Sequence, residues 1–570
     1  MKKCKLVSFI FILLFILEIK AQSFSWAKSV GGTGIIFSSS IIIDSEGNIY
    51  NTGHFYGTID FDPGVGIFNL SSEGGGSDIY VYKLNALGIF QWAKSIGGPS
   101  EDFSSSIKVD LLGNLYITGD FRKNVDFDPG AGILYLTSKA FSRDVFILKL
   151  DSFGNFLWAK SFGGVDEDAS SAISLDDYFN VYLVGRFNGL VDFDPLKVVN
   201  ELYCSGFYNG FIVKLDLLGS FKWAKTICSQ DYAMIESIAV DRFEHIYITG
   251  HFRGINHFNI KNDSLELNTN GDSDIFISKL DTLGQFEWVK VIGGNEFEEA
   301  HSILCDNSGY IYVNGTFNGT LDFDPDTGIY NLKSKSTFNN FVAKFDNTGQ
   351  LIWAIDINTG RSFLTLDDLG NTYCFGTFEG TVDFNPGVDT FEISSIGPYD
   401  FYISKTDNLG QFLWVKSIEL LNGGLPSSIT LDHDLNIITT GNFKGTCDLN
   451  PDWGIEKHTS IGVSDQFVLK IDQRTVNMNS INNKIDFDIF PNPSSQFIRI
   501  SLNNNNTYDI WKINVFNSSG QLVYCISNHS NHSIVLNKET IGTGLFYIQI
   551  HANGEMMSKK IFLNKCNYSI

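Results

Sequence analysis

Aspartates recur in pairs along this chain. Asp60 and Asp62 flank Phe61 in Asp-Phe-Asp-Pro-Gly, and Asp126 with Asp128, Asp192 with Asp194, and Asp322 with Asp324 repeat the arrangement. Asp383 with Asn385 and Asp448 with Asn450 are softer versions, and Ile255 to Asn259 (Ile-Asn-His-Phe-Asn) breaks the pattern. Carboxylates at i and i+2 on an extended chain point to the same side, where they suit a hard cation such as Ca2+. Calcium takes roughly six to eight oxygens, however, and no DxDxDG loop is present. The competing reading is turn chemistry, in which Asp ahead of Pro is extended and Gly completes the turn.

Other reactive side chains are scattered. His245, His251 and His257, with Arg253, fall at even spacing on one extended stretch. These are types that bind metals or move protons, but no carboxylate partner is identifiable, and lone surface histidines are the competing reading. No GxSxG, HExxH or P-loop pattern occurs. Beyond Cys4, seven cysteines remain (Cys204, Cys228, Cys305, Cys374, Cys447, Cys525 and Cys566), with no CxxC pair and no zinc spacing. An odd count leaves at least one thiol free or bonded to another chain. Cys204 and Cys228 are near enough in sequence to meet across one sheet, although spacing alone assigns no disulfide. Cys305 and Cys374 lie in apolar runs that read as buried, inert thiols. The net charge of -23 repels phosphate backbones, which argues against nucleic acid as a partner.

The elements that must position these residues follow a long period. Tryptophans at 26, 92, 158, 223, 288, 353 and 414 are spaced by 66, 66, 65, 65, 65 and 61 residues. Each opens the same order of segments. The second copy reads FQWAKSIGG, SSSIKVDLLGNLYITGDF, NVDFDPGAG and DVFILKLDSFG. Four pieces of each copy are rich in Ile, Val, Phe and Tyr and are bounded by Asp, Gly and Asn, which is the signature of strands joined by turns. Several are apolar on both faces, as a sheet stacked between neighbours requires. Seven such copies without a helix signal predict an all-β fold, a seven-bladed β-propeller over residues 22–472. The last FIxKLD strand, Phe467 to Asp472, lacks a following FxWAK segment, and a spare copy, Phe24 to Lys28, stands alone near the start. Pairing the two would close the ring and remove an open edge.

Besides the tryptophan, a lysine and a glycine recur in all seven copies. The lysine of FIxKLD recurs at 83, 149, 214, 279, 344, 405 and 470, and a packing role is expected, the stem covering apolar surface and the amine reaching water or a carboxylate. The glycine of TGxF recurs at 53, 119, 185, 250, 315, 376 and 441, which predicts a bulge or close backbone approach. The loops between second and third strands are expected on the same face as those leading into the inner strand, and that face is expected to carry any binding site.

The ends read differently. Lys2, Lys3 and Lys5 precede an apolar run from Leu6 to Leu17, and Ala21 follows. This predicts a signal peptide over 1–21 with Gln22 starting the mature chain; the run is too short to span a bilayer, and no later one is long enough. No cysteine follows the cut, so no lipoprotein is expected. Residues 473–485 are polar and read as a linker. From 486 to 570, seven short strand-like pieces predict a small Ig-like β-sandwich.

The pattern WAKSxGG, DxxGNxYxTGxF, DFDPG resembles the SBBP-type β-propeller repeats of exported bacterial proteins. That resemblance implies a fold and an extracellular setting, and brings no shared catalytic residues. The tail resembles the type A C-terminal sorting domain of the Bacteroidota type IX secretion system. Pro491-Asn492-Pro493, the segment Asn517 to Val523 with Gly520, Gly544 to Tyr547, and Lys559-Lys560 carry it. The resemblance implies handling by the type IX secretion machinery and release or display at the outer cell surface. The expected function is a non-enzymatic surface propeller that binds an extracellular glycan or protein, an adhesion module without cofactor. A secreted glycan-active enzyme and a purely structural surface protein are the alternatives.

Overall fold

In the computed structural model the structure describes residues 20–475, apart from 195–199, 261–262, 337, 358, 388 and 453. In the C-terminal part it describes 487–490, 497–502, 511–517, 522–529, 533–537, 541, 544–552 and 555–563. All of the expected leader but Lys20 and Ala21, most of the expected linker, and Pro491, Asn492, Pro493 and Gly520 lie outside the described residues. The chain divides into two compact units, one of which is Phe24–Asp472.

Phe24–Asp472 is all-β and built from a repeated antiparallel four-strand sheet. The second sheet shows the rule. Phe103–Val109 pairs with Leu115–Arg122, which pairs with Arg143–Leu150, which pairs with Phe156–Phe162. The first strands of successive sheets contact one another in a cycle, from Ile35–Ile43 through to Gly424–Leu431 and back to Ile35–Ile43. They form the inner ring. The last sheet takes its fourth strand from the chain start, Lys20–Gly32 lying hydrogen-bonded beside Asp465–Thr475.

Each core cluster is shared by two consecutive sheets. Tyr50 and Val81 pack with Ile107 and Ile117; Tyr116 and Ile147 pack with Ile173 and Val213. At the join, Ile438 and Val468 of the last sheet pack with Ile41 and Tyr80 of the first. Asn442 Nδ2 donates to Ile36 O, and Asn51 Nδ2 donates to Thr440 Oγ1 at 3.1 Å across the same seam. Burying each large side chain contributes about 1.5–3 kcal/mol, so the sheets hold one another by their faces.

The TGxF glycines are required by that crowding. A Cβ on Gly119 would stand 1.9 Å from Phe103 O and 2.7 Å from the Phe146 ring. The register shifts beside it, between Ser104 and Ser106, so the inner strand carries the bulge and the glycine its close approach.

In the tail, the sheet of Phe487–Phe490, Phe497–Leu502 and Ser533–Asn537 shares one core with the sheet of Leu522–His529, Trp511–Asn517, Gly544–Ala552 and Glu555–Leu563. Ile498, Ile500 and Leu536 from the first meet Ile513, Val515, Phe546, Ile548 and Ile550 from the second. In this register Tyr547 stands opposite Lys560, Ile548 opposite Lys559, and Gly544 opposite Leu563.

Candidate functional site

The paired aspartates are turn residues by their hydrogen bonds. Asp60 Oδ1 accepts from Asp62 N at 3.1 Å and Phe68 N at 2.8 Å, and Asp126 Oδ1 does the same from Asp128 N and Leu134 N. Asp192 Oδ1 takes Asp194 N and Asn200 N, and Asp322 Oδ1 takes Asp324 N and Tyr330 N. The second members continue the turn, with Asp62 accepting from Gly64 N, Asp128 from Gly130 N and Asp324 from Asp326 N. Asn385 and Asn450 accept the equivalent N–H in the softened copies, which explains why an amide serves there. A Cβ on Gly66 would stand 2.2 Å from Asp62 Oδ2. Among the described residues no group of three or more His, Cys, Asp or Glu side chains is placed to hold a metal ion.

The repeated lysines are also built into the frame. Lys149 Nζ lies 4.5 Å from the Tyr116 ring centre and 3.8 Å from Asp110 Oδ2. Asp110 itself accepts from Leu112 N, Asn114 N, Asn114 Nδ2 and Tyr116 Oη, so the lysine, tyrosine and turn are one knot. Lys214 repeats it with Tyr182 and Asp176, and Lys405 with Tyr373 and Asp367. Burial lowers the Lys149 amine against the pull of Asp110.

Several carboxyls are buried at the heads of the inner and third strands. Asp102, Asp168 and Glu298 are pushed up to about 7, chiefly by burial and further by Asp78, Asp144 and Asp274 respectively. Those three neighbours are themselves raised to about 6 by burial. All are bonded to backbone: Asp102, for example, accepts from Gly98 N at 2.9 Å and Arg122 N at 3.1 Å.

The histidines at 245, 251 and 257 stay apart, as the reading of lone side chains expects, but His251 is buried rather than at the surface. His245 Nδ1 meets Asp241 Oδ2 at 2.9 Å in a turn, in the place that Asn114 holds in the second sheet. His257 pairs in register with Cys228 and Glu266. His251 stands apart from both, at the head of the inner ring. Cys204 and Cys228 form a disulfide, with their Cα atoms 5.4 Å apart. Cys374 is buried and Cys305 half-buried, and burial pushes both thiols up to about 12.

Where the copies differ, the side chains gather at one end of the inner ring. Gly97 bridges Asp126 and Gly163 bridges Asp192, so the loops between second and third strands share this face with the segments leading into the inner strands. The variable residue of TGxF is His54, Asp120, Arg186, His251, Thr316, Thr377 and Asn442 in turn. It pairs with the head of an inner strand: Phe37 with His54, Phe103 with Asp120, Met234 with His251, Glu299 with Thr316.

These side chains form a continuous arc. The His54 ring stacks on Phe37 at 5.0 Å and meets the Phe103 edge at 4.7 Å; burial, then the Arg143 charge, lower its pKa to about 4. The Arg143 guanidinium lies 4.7 Å over Phe103, with Nε 3.5 Å from Asp120 and 3.6 Å from Glu167. Burial pushes Asp120 up to about 6, against the pull of Arg143 and Arg186. Arg122 pairs with Glu167 at 2.5 Å. Arg186 lies 5.1 Å over Tyr208, which pairs in register with Tyr232. Tyr232 meets the His251 edge at 5.9 Å, and His251 Nε2 is 3.5 Å from Glu299. His301 Nε2 lies 3.2 Å from Thr316 Oγ1 and is held neutral by burial and by Arg361 and His251. Arg361 lies 5.8 Å over Phe363. The arc mixes fixed cations, acceptors and flat apolar faces, which suits binding of a polar ligand. Sequence reasoning pointed to this face and to His251 but not to the rest of the arc, although the changing letter in TGxF was its signal.

Residues 488–564 match the model of the secretion system C-terminal sorting domain, and residues 91–120 match that of a β-propeller repeat, SBBP. The chain carries an SBBP propeller repeat and a type IX sorting domain. The sorting domain marks the protein for the type IX secretion machinery, and so for export, to the cell surface or beyond it. Among the described residues no helix is long and apolar enough to cross a membrane.

An uncharacterised WD repeat-containing protein of Acanthamoeba polyphaga mimivirus is 24% identical over 532 residues, covering 77% of this chain and 38% of that protein. The chain thus spans well under half of the curated relative's length. A protein of unknown function from Bacteroides caccae superposes with a TM-score of 0.28 at 10% identity, over 59% of this chain and 94% of its own. Dimeric latent PorU of Porphyromonas gingivalis gives 0.12 at 11% identity, over 70% and 32%. Likenesses this loose carry no argument about the fold.

Proposed function

We propose that residues 24–472 form a seven-bladed β-propeller that acts outside the cell as a binding and adhesion module, followed by an Ig-like sorting domain. The ligand seat is the arc from His54 to Arg361, at the mouth of the inner ring. The observation that carries this reading is the location of sequence variation. The Lys–Tyr pairs recur in every blade but the last, where Ile438 stands opposite Lys470, and the aspartate turns in every blade but the fourth, whereas the charged and aromatic residues of the mouth differ from blade to blade. A rigid frame that presents dissimilar side chains at one rim is the usual arrangement for recognition.

A binding role rather than a catalytic one is favoured by the state of the mouth carboxylates. Asp120 and Glu167 are engaged by Arg143 and Arg122, and Glu299 by His251, so each is positioned by a cation. The propeller closes by joining the first and last chain segments, which suits display on a surface where an open sheet edge would recruit other chains.

The test is to apply the purified full chain to a broad array of glycans and extracellular proteins, first with calcium and then with EDTA. Retained signal on a defined ligand class in both buffers is expected, because the aspartate pairs are engaged with backbone. A blank array in both buffers would refute the binding role. Signal lost in EDTA would return the aspartates to the role of metal ligands.

A further inference from the structure

We infer that the mouth receives an acidic saccharide, with Arg186 and Arg361 taking its carboxylates; this rests on the proposed binding role and specifies its ligand. Arg122 and Arg143 are neutralised by Glu167, Asp120 and Glu101. Arg186 and Arg361 have no ion-pair partner among the described residues. Each is instead laid over an aromatic ring, Tyr208 or Phe363. Stacking orients the planar guanidinium and leaves its fork of N–H donors free, the geometry that binds a carboxylate through two parallel hydrogen bonds.

A second observation points to a ligand in the same place. His251 is only 6% exposed, yet its Nδ1 has no hydrogen-bond partner. A buried polar atom left unpaired is costly unless something else satisfies it. The ring lies between Tyr232 and Glu299, within the arc.

The composition of the arc selects among anions. Asp120, Glu167 and Glu299 stand among the arginines, and the whole chain carries -23, so a dense polyphosphate is repelled. A sugar acid has a single charge per ring, surrounded by hydroxyls. Those hydroxyls match an acceptor such as Glu299, and the apolar ring face suits a rim that carries Tyr208 and Tyr232. This matching of one charge, several hydroxyls and an apolar face is what a uronate offers and an acidic peptide does not.

The experiment is calorimetric titration of the full chain with oligogalacturonate, alginate oligomers and sialyllactose, alongside the methyl ester of oligogalacturonate, which has the same ring without the charge. At least one acid is expected to bind. For oligogalacturonate the ester should be weaker by about tenfold or more, as loss of a charged hydrogen-bond pair predicts. Arg186→Gln and Arg361→Gln should each weaken the acid by a similar factor, and Arg186→Lys, which keeps the charge but not the fork, should recover only part. Thermal melting of each variant shows whether it is folded. Equal affinity for acid and ester would overturn the acidic class and leave the mouth as a neutral-ligand site. Acid affinity unchanged in both arginine variants would overturn the seat. No binding of any of the three acids would overturn the inference, and if the array is also blank the binding role falls with it.

Discussion

The two ends of the inner ring obey different rules. At the end with the short turns, Lys149, Tyr116 and Asp110 form a knot that recurs with near-identical geometry as Lys214, Tyr182 and Asp176 or Lys405, Tyr373 and Asp367. At the mouth the equivalent position changes from His54 to Asp120 to Arg186 to His251. An interaction needed once per sheet is a condition of folding. A residue used in one sheet alone is free of that condition, and under the proposed binding role it answers to the ligand.

The largest expected effect is at the glycines of the regular frame. Gly119→Val would place a side chain against Phe103 O and the Phe146 ring, and should cost about 3 kcal/mol or more, read from the denaturant midpoint of the full chain. A near-neutral outcome would mean that the inner strands are looser than their contacts imply. Asp110→Ala should be next, at about 2–3 kcal/mol, because it strands several donors of a buried knot. Ligand binding by the surviving folded fraction should be unchanged.

Stability should also depend on pH in an unusual sense. Asp102, Asp168 and Glu298 titrate near 7 in the fold, against 3.8 for an ordinary Asp and 4.5 for an ordinary Glu. The folded chain therefore binds more protons than the unfolded chain between those limits, and stability rises as pH falls through that window. His54, His301 and His458 are lowered from 6.5 and oppose the trend below that pH, but the raised acids, which also include Asp78, Asp120, Asp144, Asp274 and Asp465, outnumber them. Melting temperature should increase from pH 8 to pH 5.5, and Asp102→Asn should reduce the slope. A melting temperature that falls over that range would show that these carboxyls are ionised inside the fold.

The smallest effects on stability are expected at the mouth and at the aspartate turns. Arg186→Gln should change stability by less than about 1 kcal/mol, since a partly exposed charge contributes little to folding. Asp62→Asn should be nearly silent, because Asn385 and Asn450 already accept the same turn hydrogen bond in other copies. Addition of calcium should not raise the melting temperature of either protein. A rise of several degrees would assign the carboxylates to a metal and erase the contrast drawn between turn and mouth.

The frame was legible because its causes are local. Trp spacing, the Asp-x-x-Gly-Asn turns and the alternation of strand-like runs report interactions within one copy, and the constant lysine meets the tyrosine directly opposite it on the neighbouring strand, as Lys149 does Tyr116. The mouth was not legible because its partners come from different copies: Arg143 lies near His54 and Arg361 near His301 only after the sheets have packed. The histidines at 245, 251 and 257 stay separate, as the reading of lone side chains expects, but His251 is buried and not at the surface. Even spacing suggested one side of one strand, but a turn and a strand change separate them. The disulfide of Cys204 and Cys228 was hidden for a similar reason. The long strand Glu201–Leu215 carries Cys204 beyond the part whose pairing the repeat predicts.

The most direct test compares one change at each end of that contrast. The full chain, Arg143→Ala and Asp128→Asn would be applied in parallel to the same glycan and protein array. Arg143 joins Phe103, Asp120 and Glu167 at the mouth, whereas Asp128 only accepts a turn hydrogen bond. The predicted result is loss of the array signal with Arg143→Ala and full retention with Asp128→Asn. Retention in the first and loss in the second would place recognition in the repeated turns and contradict the account.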